Sequence, residues 1–380
     1  MKIALVSPYD FAFPGGVGRH IINLERQFTT KGHEVKIIAP AQKRTARELG
    51  DNFIRIGSPF AVPASESIMR ISLSLHLAPK IKDVMEREKF DVIHLHEPFM
   101  PMLCSATLRF SDSVNVGTFH AAQGSPGYDF GKPVSSWILH RRARKLNGHI
   151  AVSIPAMRYA SRYVPAEYEI IPNGIDTHYF RPDVKPIEQY QDGKLNIVFM
   201  GRLEYRKGLN YLLKAFLEIK KQMPETRLII CGPGIRLRKR YEDWVKKNKL
   251  SDVIFTGLVS HEDQPRYYRT ADIFCAPNTG HESFGLILLE AMATARPIVA
   301  TSIEGFAAVV TQGEEGLLVP AETVKPLADA LLSLLNDKAR REQMGQKGLI
   351  TARKYDWEGV ASRVLAYYEK TMKEARNNGN

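Results

Sequence analysis

The sequence predicts an α/β protein of two domains, each built on a parallel sheet with helices on both faces. Three observations predict it. A length of 380 residues is more than one hydrophobic core usually serves. Short β-branched runs alternate with helical patterns from one end to the other. The alternation also comes in two series, meeting near Pro172-Asn173-Gly174-Ile175-Asp176.

The first series places strands at residues 3–7, 35–39, 53–56, 92–96, 114–120, 150–153 and 169–172. Most are continuous apolar runs, as expected of strands buried on both faces. The first run is too short for a signal peptide and reads as a strand, and no run approaches membrane-spanning length. Residues 181–194, polar and containing proline, read as a linker. The second series is 196–201, 227–232, 253–257, 273–276, 298–301 and 316–319. Helical patterns alone follow, the last at 357–373 and expected to cross back to the first domain. The expected domains are therefore 1–172 plus 356–380, and 173–355.

Net charge is +12 with an isoelectric point near 9.4. Basic clusters (Lys43-Arg44, Arg141-Arg142-x-Arg144-Lys145, Arg236-x-Arg238-Lys239-Arg240) leave phosphorylated substrates and anionic lipid as candidate partners. No RNA-binding or helix-turn-helix pattern accompanies them, so nucleic acid ranks last. The three cysteines lie far apart, and no His/Cys cluster is visible in the linear order. That argues against disulfides and structural zinc and suits a reducing cytoplasm.

In open parallel sheets, ligands bind beyond the carboxyl ends of the strands. Four segments fall there. Glu282 and Glu290 flank Ser283-Phe284-Gly285 and an apolar run that reads as a buried helix. A carboxylate in such a run needs a partner, and the helix start offers N–H groups to an anion. A sugar nucleotide would use both; a helix cap and a core salt bridge would equally explain the acids.

Gly15-Gly16-Val17-Gly18 lies between the first strand and a helix at 21–31, letting backbone approach a phosphate or sugar. The third glycine of a dinucleotide fingerprint is missing, because position 21 is Ile, and the next strand lacks the ribose-binding acid. That disfavours an NAD-dependent oxidoreductase and leaves a plain tight turn as the alternative. His120 ends a strand beside a Gly/Ser/Pro-rich stretch (123–132), a placement that favours binding or catalysis. His94 and His96 share a face of the preceding strand, with His96 nearer the mouth beside Glu97. Arg202 and Lys207 flank a turn opening a helix, where fixed cations can hold a diphosphate as a leaving group.

Together these segments resemble glycosyltransferase family 4, retaining enzymes of the GT-B fold. Gly15-Gly16, Thr118-Phe119-His120, Pro172–Asp176, Gly201-Arg202…Lys207-Gly208 and Glu282-x7-Glu290 carry the match, in order along nearly the whole chain. Each motif alone is common; five in order are specific. The opening Ser7-Pro8-Tyr9…Gly15-Gly16 and Ile93-His94-Leu95-His96-Glu97-Pro98 are similar to bacterial phosphatidylinositol mannosyltransferases.

The resemblance implies two Rossmann-like domains facing across a cleft, the first binding acceptor and the second a nucleotide sugar. Arg202 and Lys207 would hold the donor diphosphate, with Gly16 touching it. Glu282 would bind sugar hydroxyls, Phe284 and Gly285 would offer backbone amides, Glu290 would bind the ribose, and Val259 would contact the base. Tyr9, Arg70 and His120 would serve the acceptor, with His120 beside the reacting centre. His120, Glu282, Arg202 and Lys207 would carry catalysis without metal or cofactor. Retention could arise by double displacement or by front-face attack. No unassigned acid sits in the right segment, which favours front-face attack.

Two apolar stretches, 59–77 and Phe99-Met100-Pro101-Met102, read as exposed loops beside Arg70, Lys80 and Lys82, suiting weak peripheral membrane contact with a lipid or glycan acceptor. The helix at 79–89 mixes acids with bases and lacks a uniformly basic face. The competing readings are a UDP-sugar-dependent glucosyl- or galactosyltransferase, a sugar-nucleotide epimerase and a non-enzymatic basic lipid-binding protein.

Overall fold

A computed structural model describes residues 1–12, 15–42, 49–64, 67–72, 77–100, 102–122, 141–280 and 282–378. The expected loop at 123–132 and the cluster Lys43-Arg44 lie outside them. The chain forms two compact units, Met1–Gly174 with Trp357–Asn380, and Ile175–Asp356.

Unit 1 is a seven-stranded sheet in the order β3-β2-β1-β6-β7-β8-β9. Its strands are β1 (Lys2–Val6), β2 (Glu34–Ala39), β3 (Phe53–Arg55), β6 (Val92–His96), β7 (Val114–Phe119), β8 (Gly148–Ala151) and β9 (Glu169–Ile170). Its neighbouring strands all pair in parallel. Helices α1 (Gly16–Thr30), α2 (Leu77–Glu88), α3 (Leu103–Phe110) and α4 (Ile154–Ser161) fill the connections. Apolar residues at the helical period on α1 (Ile21, Leu24, Phe28) are buried against the sheet. The hairpin of β4 (Phe60–Ala64) and β5 (Ser67–Ile71) is antiparallel and was not visible as alternation.

Unit 2 is a six-stranded sheet in the order β12-β11-β10-β13-β14-β15. Its strands are β10 (Leu195–Met200), β11 (Thr226–Cys231), β12 (Val253–Gly257), β13 (Ile273–Ala276), β14 (Ile298–Thr301) and β15 (Gly316–Val319), each within one residue of expectation. Around them lie α5 (Leu209–Gln222), α6 (Ile235–Lys247), α7 (Gln264–Thr270), α8 (Leu286–Ala293), α9 (Glu304–Ala307), α10 (Lys325–Leu335) and α11 (Lys338–Arg353). Central strands such as Ile197-Val198-Phe199 are fully buried on alternate faces, feeding one apolar cluster on each side of the sheet.

The last helix, α12 (Trp357–Asn378), packs in the core of unit 1 through Val360, Ala361, Val364 and Tyr368. The crossing has a local cause at Gly174. A Cβ there would lie 2.5 Å from the Trp357 indole, so only glycine lets the chain pass under that ring.

Two expectations are corrected. Residues 181–194 are packed onto unit 2 instead of forming a free linker. Tyr190 is buried under the Arg227 guanidinium, 5.2 Å from its ring centre, and its carbonyl accepts from Asn196 Nδ2 at 3.1 Å. Phe99 and Met100 are not an exposed loop either; both are fully buried, with the Phe99 ring 5.7 Å from that of Phe119. Pro101 is outside the described residues, and Met102 is half-buried at the start of α3. A Phe-Met pair costs too much apolar area to leave wet when a helix docks beside it.

Candidate active site

In unit 2, two loops at the carboxyl edge of the sheet are locked together. One runs from β10 to α5, the other from β13 to α8. Gly208 makes their approach possible. It sits at φ 69°, and a Cβ there would lie 1.8 Å from the Pro277 carbonyl oxygen. Thr279 N–H donates to the Arg206 carbonyl at 2.8 Å, joining the same two loops. Beneath the second loop, a Cβ on Gly305 would stand 2.2 Å from the Glu282 carbonyl oxygen. Glu282 is therefore fixed in place by backbone packing.

Around Glu282 the charged side chains converge. Its Oε1 accepts from Lys207 Nζ, from an Arg206 guanidinium nitrogen at 2.8 Å and from Asn278 Nδ2 at 3.0 Å. Arg206 also reaches Glu204 at 2.7 Å, and Arg202 Nε stands 3.3 Å from the other oxygen of Glu204. Three cations thus share two carboxylates within one continuous network. The carboxylates of Glu204 and Glu282 are mostly sheltered, while the Arg202 side chain is 53% exposed. Low effective dielectric strengthens the sheltered pairs, and the surplus positive charge suits an anion.

Asn278 is buried, and its Oδ1 finds no partner while its amide nitrogen serves Glu282. An unmet acceptor beside the network can take a ligand hydroxyl.

Glu290 lies on α8, fully inside the apolar side of the unit, and accepts from Tyr268 Oη at 2.5 Å. Gly285, at φ 91°, is the N-cap of α8, and no side chain caps that helix. Glu282 is thus an ion-pair partner and not a cap. Phe284 is buried with its ring 5.8 Å from Tyr355. Val259 lies just past β12, half-buried.

In unit 1 the strand ends carry histidines. His94 and His96 on β6 are fully buried. His94 lies between Thr118 Oγ1 and Tyr368 Oη, 2.6 Å from each. His96 Nδ1 is 3.0 Å from His120 Nε2. His20, from α1, meets Asn173 Oδ1 through Nδ1 at 2.9 Å and stands edge-on to the Trp357 ring. Glu97, at φ 52°, holds the loop after β7: its Oε1 accepts from the N–H groups of His120 and Ala121 at 2.7 Å each. Backbone strain of that kind persists only where surrounding bonds enforce it.

Burial keeps these imidazoles neutral. It lowers His20 to about 4, against the smaller upward pull of Asn173, and lowers His94 to about 3. His96 and His120 are pushed well below 6.5 for the same reason, with neighbouring histidines adding to the effect.

Gly16 opens α1 with open space where a side chain would be. Tyr9 is half-buried and bridges to Ile71 of the β4–β5 hairpin. Arg70 lies on β5, where its carbonyl accepts from Asp10 N–H at 2.8 Å.

Two family descriptions cover the chain between them: "Glycosyltransferase Family 4" over residues 14–179 and "Glycosyl transferases group 1" over residues 180–350. The sequence is 34% identical over 374 residues to a phosphatidyl-myo-inositol mannosyltransferase of Mycobacterium tuberculosis, covering 97% of each chain. The chain belongs to glycosyltransferase family 4. A second phosphatidyl-myo-inositol mannosyltransferase, from Propionibacterium freudenreichii, is 32% identical over 97% of this chain and 94% of its own. The crystal structure of a glycosyltransferase from Rickettsia africae superposes with a TM-score of 0.79 at 17% identity, covering 98% of both chains; that likeness is one of fold.

In this glycosyltransferase, the structure joins Arg202, Lys207 and Glu282, which the sequence had singled out, into one network. Arg206, Glu204 and Asn278 complete it and were missed. The dense basic run Arg202…Arg206-Lys207 was the available signal for Arg206. Glu204 and Asn278 lie close in sequence to the groups they meet, two residues from Arg202 and Arg206 and four from Glu282, but an acid or an amide beside a turn is too common to single them out. Likewise the linear order shows no histidine cluster, yet the fold gathers His20, His96 and His120. Their ring centroids are 4.9 to 5.3 Å apart.

Proposed function

We propose that this glycosyltransferase is a retaining mannosyltransferase that moves mannose from GDP-mannose to an inositol hydroxyl of a phosphatidylinositol-type lipid. The observation that carries the donor side is the Arg202–Glu204–Arg206–Glu282–Lys207 network with its surplus cation. Lys207 and Arg202 take the diphosphate, and Glu282 turns to the sugar hydroxyls, beside the unmet Asn278 oxygen. Glu290 meets the ribose, Val259 the base, and the amides of Phe284 and Gly285 the sugar–phosphate junction. The likeness to two phosphatidyl-myo-inositol mannosyltransferases supports mannose as the sugar and an inositol lipid as the acceptor.

The reaction follows from that grip. The bond between the anomeric carbon and the phosphate oxygen stretches first, and the cations stabilise charge growing on the diphosphate. The acceptor hydroxyl attacks from the same face and gives its proton to the departing phosphate. His120, held neutral, lines the reacting centre without adding a competing positive charge. Gly16 leaves room for the donor, and Tyr9 and Arg70 serve the acceptor head group. The fixed cations supply the charge that a metal would otherwise bring, so turnover needs no divalent metal.

Membrane contact is weak and reversible. Among the described residues no helix is long and apolar enough to cross a membrane. Phe60, on the hairpin that carries Arg70, is 62% exposed. The basic residues of α2 are largely spent on their own helix, Lys82 on Glu86 at 3.6 Å and Arg87 on Asp83 at 2.9 Å. Residues 73–76 of the apolar stretch 59–77 lie outside the described residues.

The test is transfer of labelled mannose from GDP-mannose to phosphatidylinositol in mixed micelles, with UDP-glucose in parallel. Mannosylated lipid only from GDP-mannose is expected. Turnover of UDP-glucose alone would overturn the donor assignment.

A further inference from the structure

Three imidazoles from separate elements meet inside unit 1: His20 from α1, His96 from the end of β6, and His120 just past β7. One ring nitrogen of each lies within 4.8 Å of one from each of the others. In a tetrahedral zinc site with bonds of about 2.0–2.1 Å, ligand nitrogens sit roughly 3.3 Å apart. His96 Nδ1 and His120 Nε2, at 3.0 Å, are already near that spacing.

The protein's own hydrogen bonds do not satisfy this cluster. His96 Nε2 is buried and has no partner among the described residues, which is costly for a polar atom. His96 Nδ1 and His120 Nε2 hold one hydrogen bond between them, which an ion taking both lone pairs would replace. The outer arrangement also fits. Asn173 Oδ1 accepts from His20 Nδ1–H at 2.9 Å, leaving Nε2 as the ring's open lone pair. A carbonyl behind a histidine is the usual way a metal-binding tautomer and ring angle are fixed. Burial supplies neutral imidazole, the form that ligates.

We propose that His20, His96 and His120 form a binding site for one divalent first-row transition ion of the zinc class. Imidazole donors with no carboxylate among them select such an ion over magnesium or calcium, which take oxygen ligands. Three protein nitrogens leave a fourth position open. The site stands independently of the sugar-transfer reading. Combined with it, a bound ion would occupy His120 and so act as a brake on transfer, not as a requirement for it.

The experiment is cobalt substitution of the full chain after treatment with a chelator. Addition of Co2+ is expected to give visible d–d bands saturating at one ion per chain, removed by one equivalent of Zn2+. His20→Gln should weaken Co2+ uptake at least tenfold. The double variant His178→Gln/His261→Gln, at two exposed positions in unit 2, should leave the bands unchanged. Absence of bands in the unaltered chain overturns the proposal, as do undiminished bands in His20→Gln or lost bands in the double variant. If His20→Gln does not fold by circular dichroism, His120→Gln takes its place with the same reading of outcomes.

Discussion

The two units solve one problem in opposite ways. Each puts polar side chains beyond the carboxyl ends of a parallel sheet, where this architecture binds ligands. Unit 1 fills the place with neutral imidazoles tied to hydroxyls, an amide and each other. Unit 2 fills it with three cations and two carboxylates in contact. The difference teaches what each side is fitted to hold. A charged network can trade internal ion pairs for a diphosphate at little net desolvation cost, because its groups are already charged and partly dry. A neutral, buried cluster suits an uncharged hydroxyl and does not compete for the phosphate.

Breaking the charged side should have the largest effect. Glu282→Ala removes the carboxylate on which Arg206, Lys207 and Asn278 converge, and transfer should fall by about 10²–10³-fold. Circular dichroism should show the fold kept, and steady-state assay supplies the rate. Near-normal turnover would remove Glu282 from the site. Arg206→Ala comes next. Its guanidinium bridges Glu204 and Glu282, so donor affinity should drop by roughly tenfold, about 1.4 kcal/mol, read by calorimetric titration with the nucleotide. An unchanged affinity would reduce that bridge to scaffolding.

The neutral side predicts a pH effect that the charged side does not. His20 titrates near 4 when folded and near 6.5 when unfolded. Between those values the unfolded chain binds a proton that the folded chain refuses, so stability falls as pH drops from 6.5 and levels off below about 4. For His20 alone the loss is about 3 kcal/mol. Thermal melts of metal-free protein at pH 7 and pH 4.5 should show unit 1 losing more stability than unit 2, and His20→Phe should narrow the difference without removing it, because burial also lowers His94, His96 and His120. Equal losses in both units would erase the contrast. The smallest expected effect is Tyr268→Phe, which removes one hydrogen bond to the buried Glu290 carboxylate and should cost about 1 kcal/mol by chemical denaturation.

Much of this was legible in the sequence for a physical reason. Buried strands are mostly apolar runs, so 92–96, 273–276, 298–301 and 316–319 coincide with β6, β13, β14 and β15, and the half-buried edge strand β12 still falls on its run 253–257. The β4–β5 hairpin was not legible: Phe60–Ala64 includes Pro63, and neither strand alternates cleanly. Phe99 and Met100 read as an apolar loop beside basic residues, while their burial depends on tertiary packing, which no local pattern reports. At the site, Lys207 and Glu282 stood out because charges beside glycine turns are locally odd. Glu204 and Asn278 did not, since an acid or an amide beside a turn is common, and the histidine triangle did not, since its partners come from distant parts of the chain, such as Asn173 for His20.

The most direct measurement is calorimetric titration of GDP into the intact chain and into Lys207→Ala. Binding by the intact chain, weakened at least tenfold in the variant, is the result this account predicts. Equal affinity in the two, or no binding by the intact chain, would contradict it.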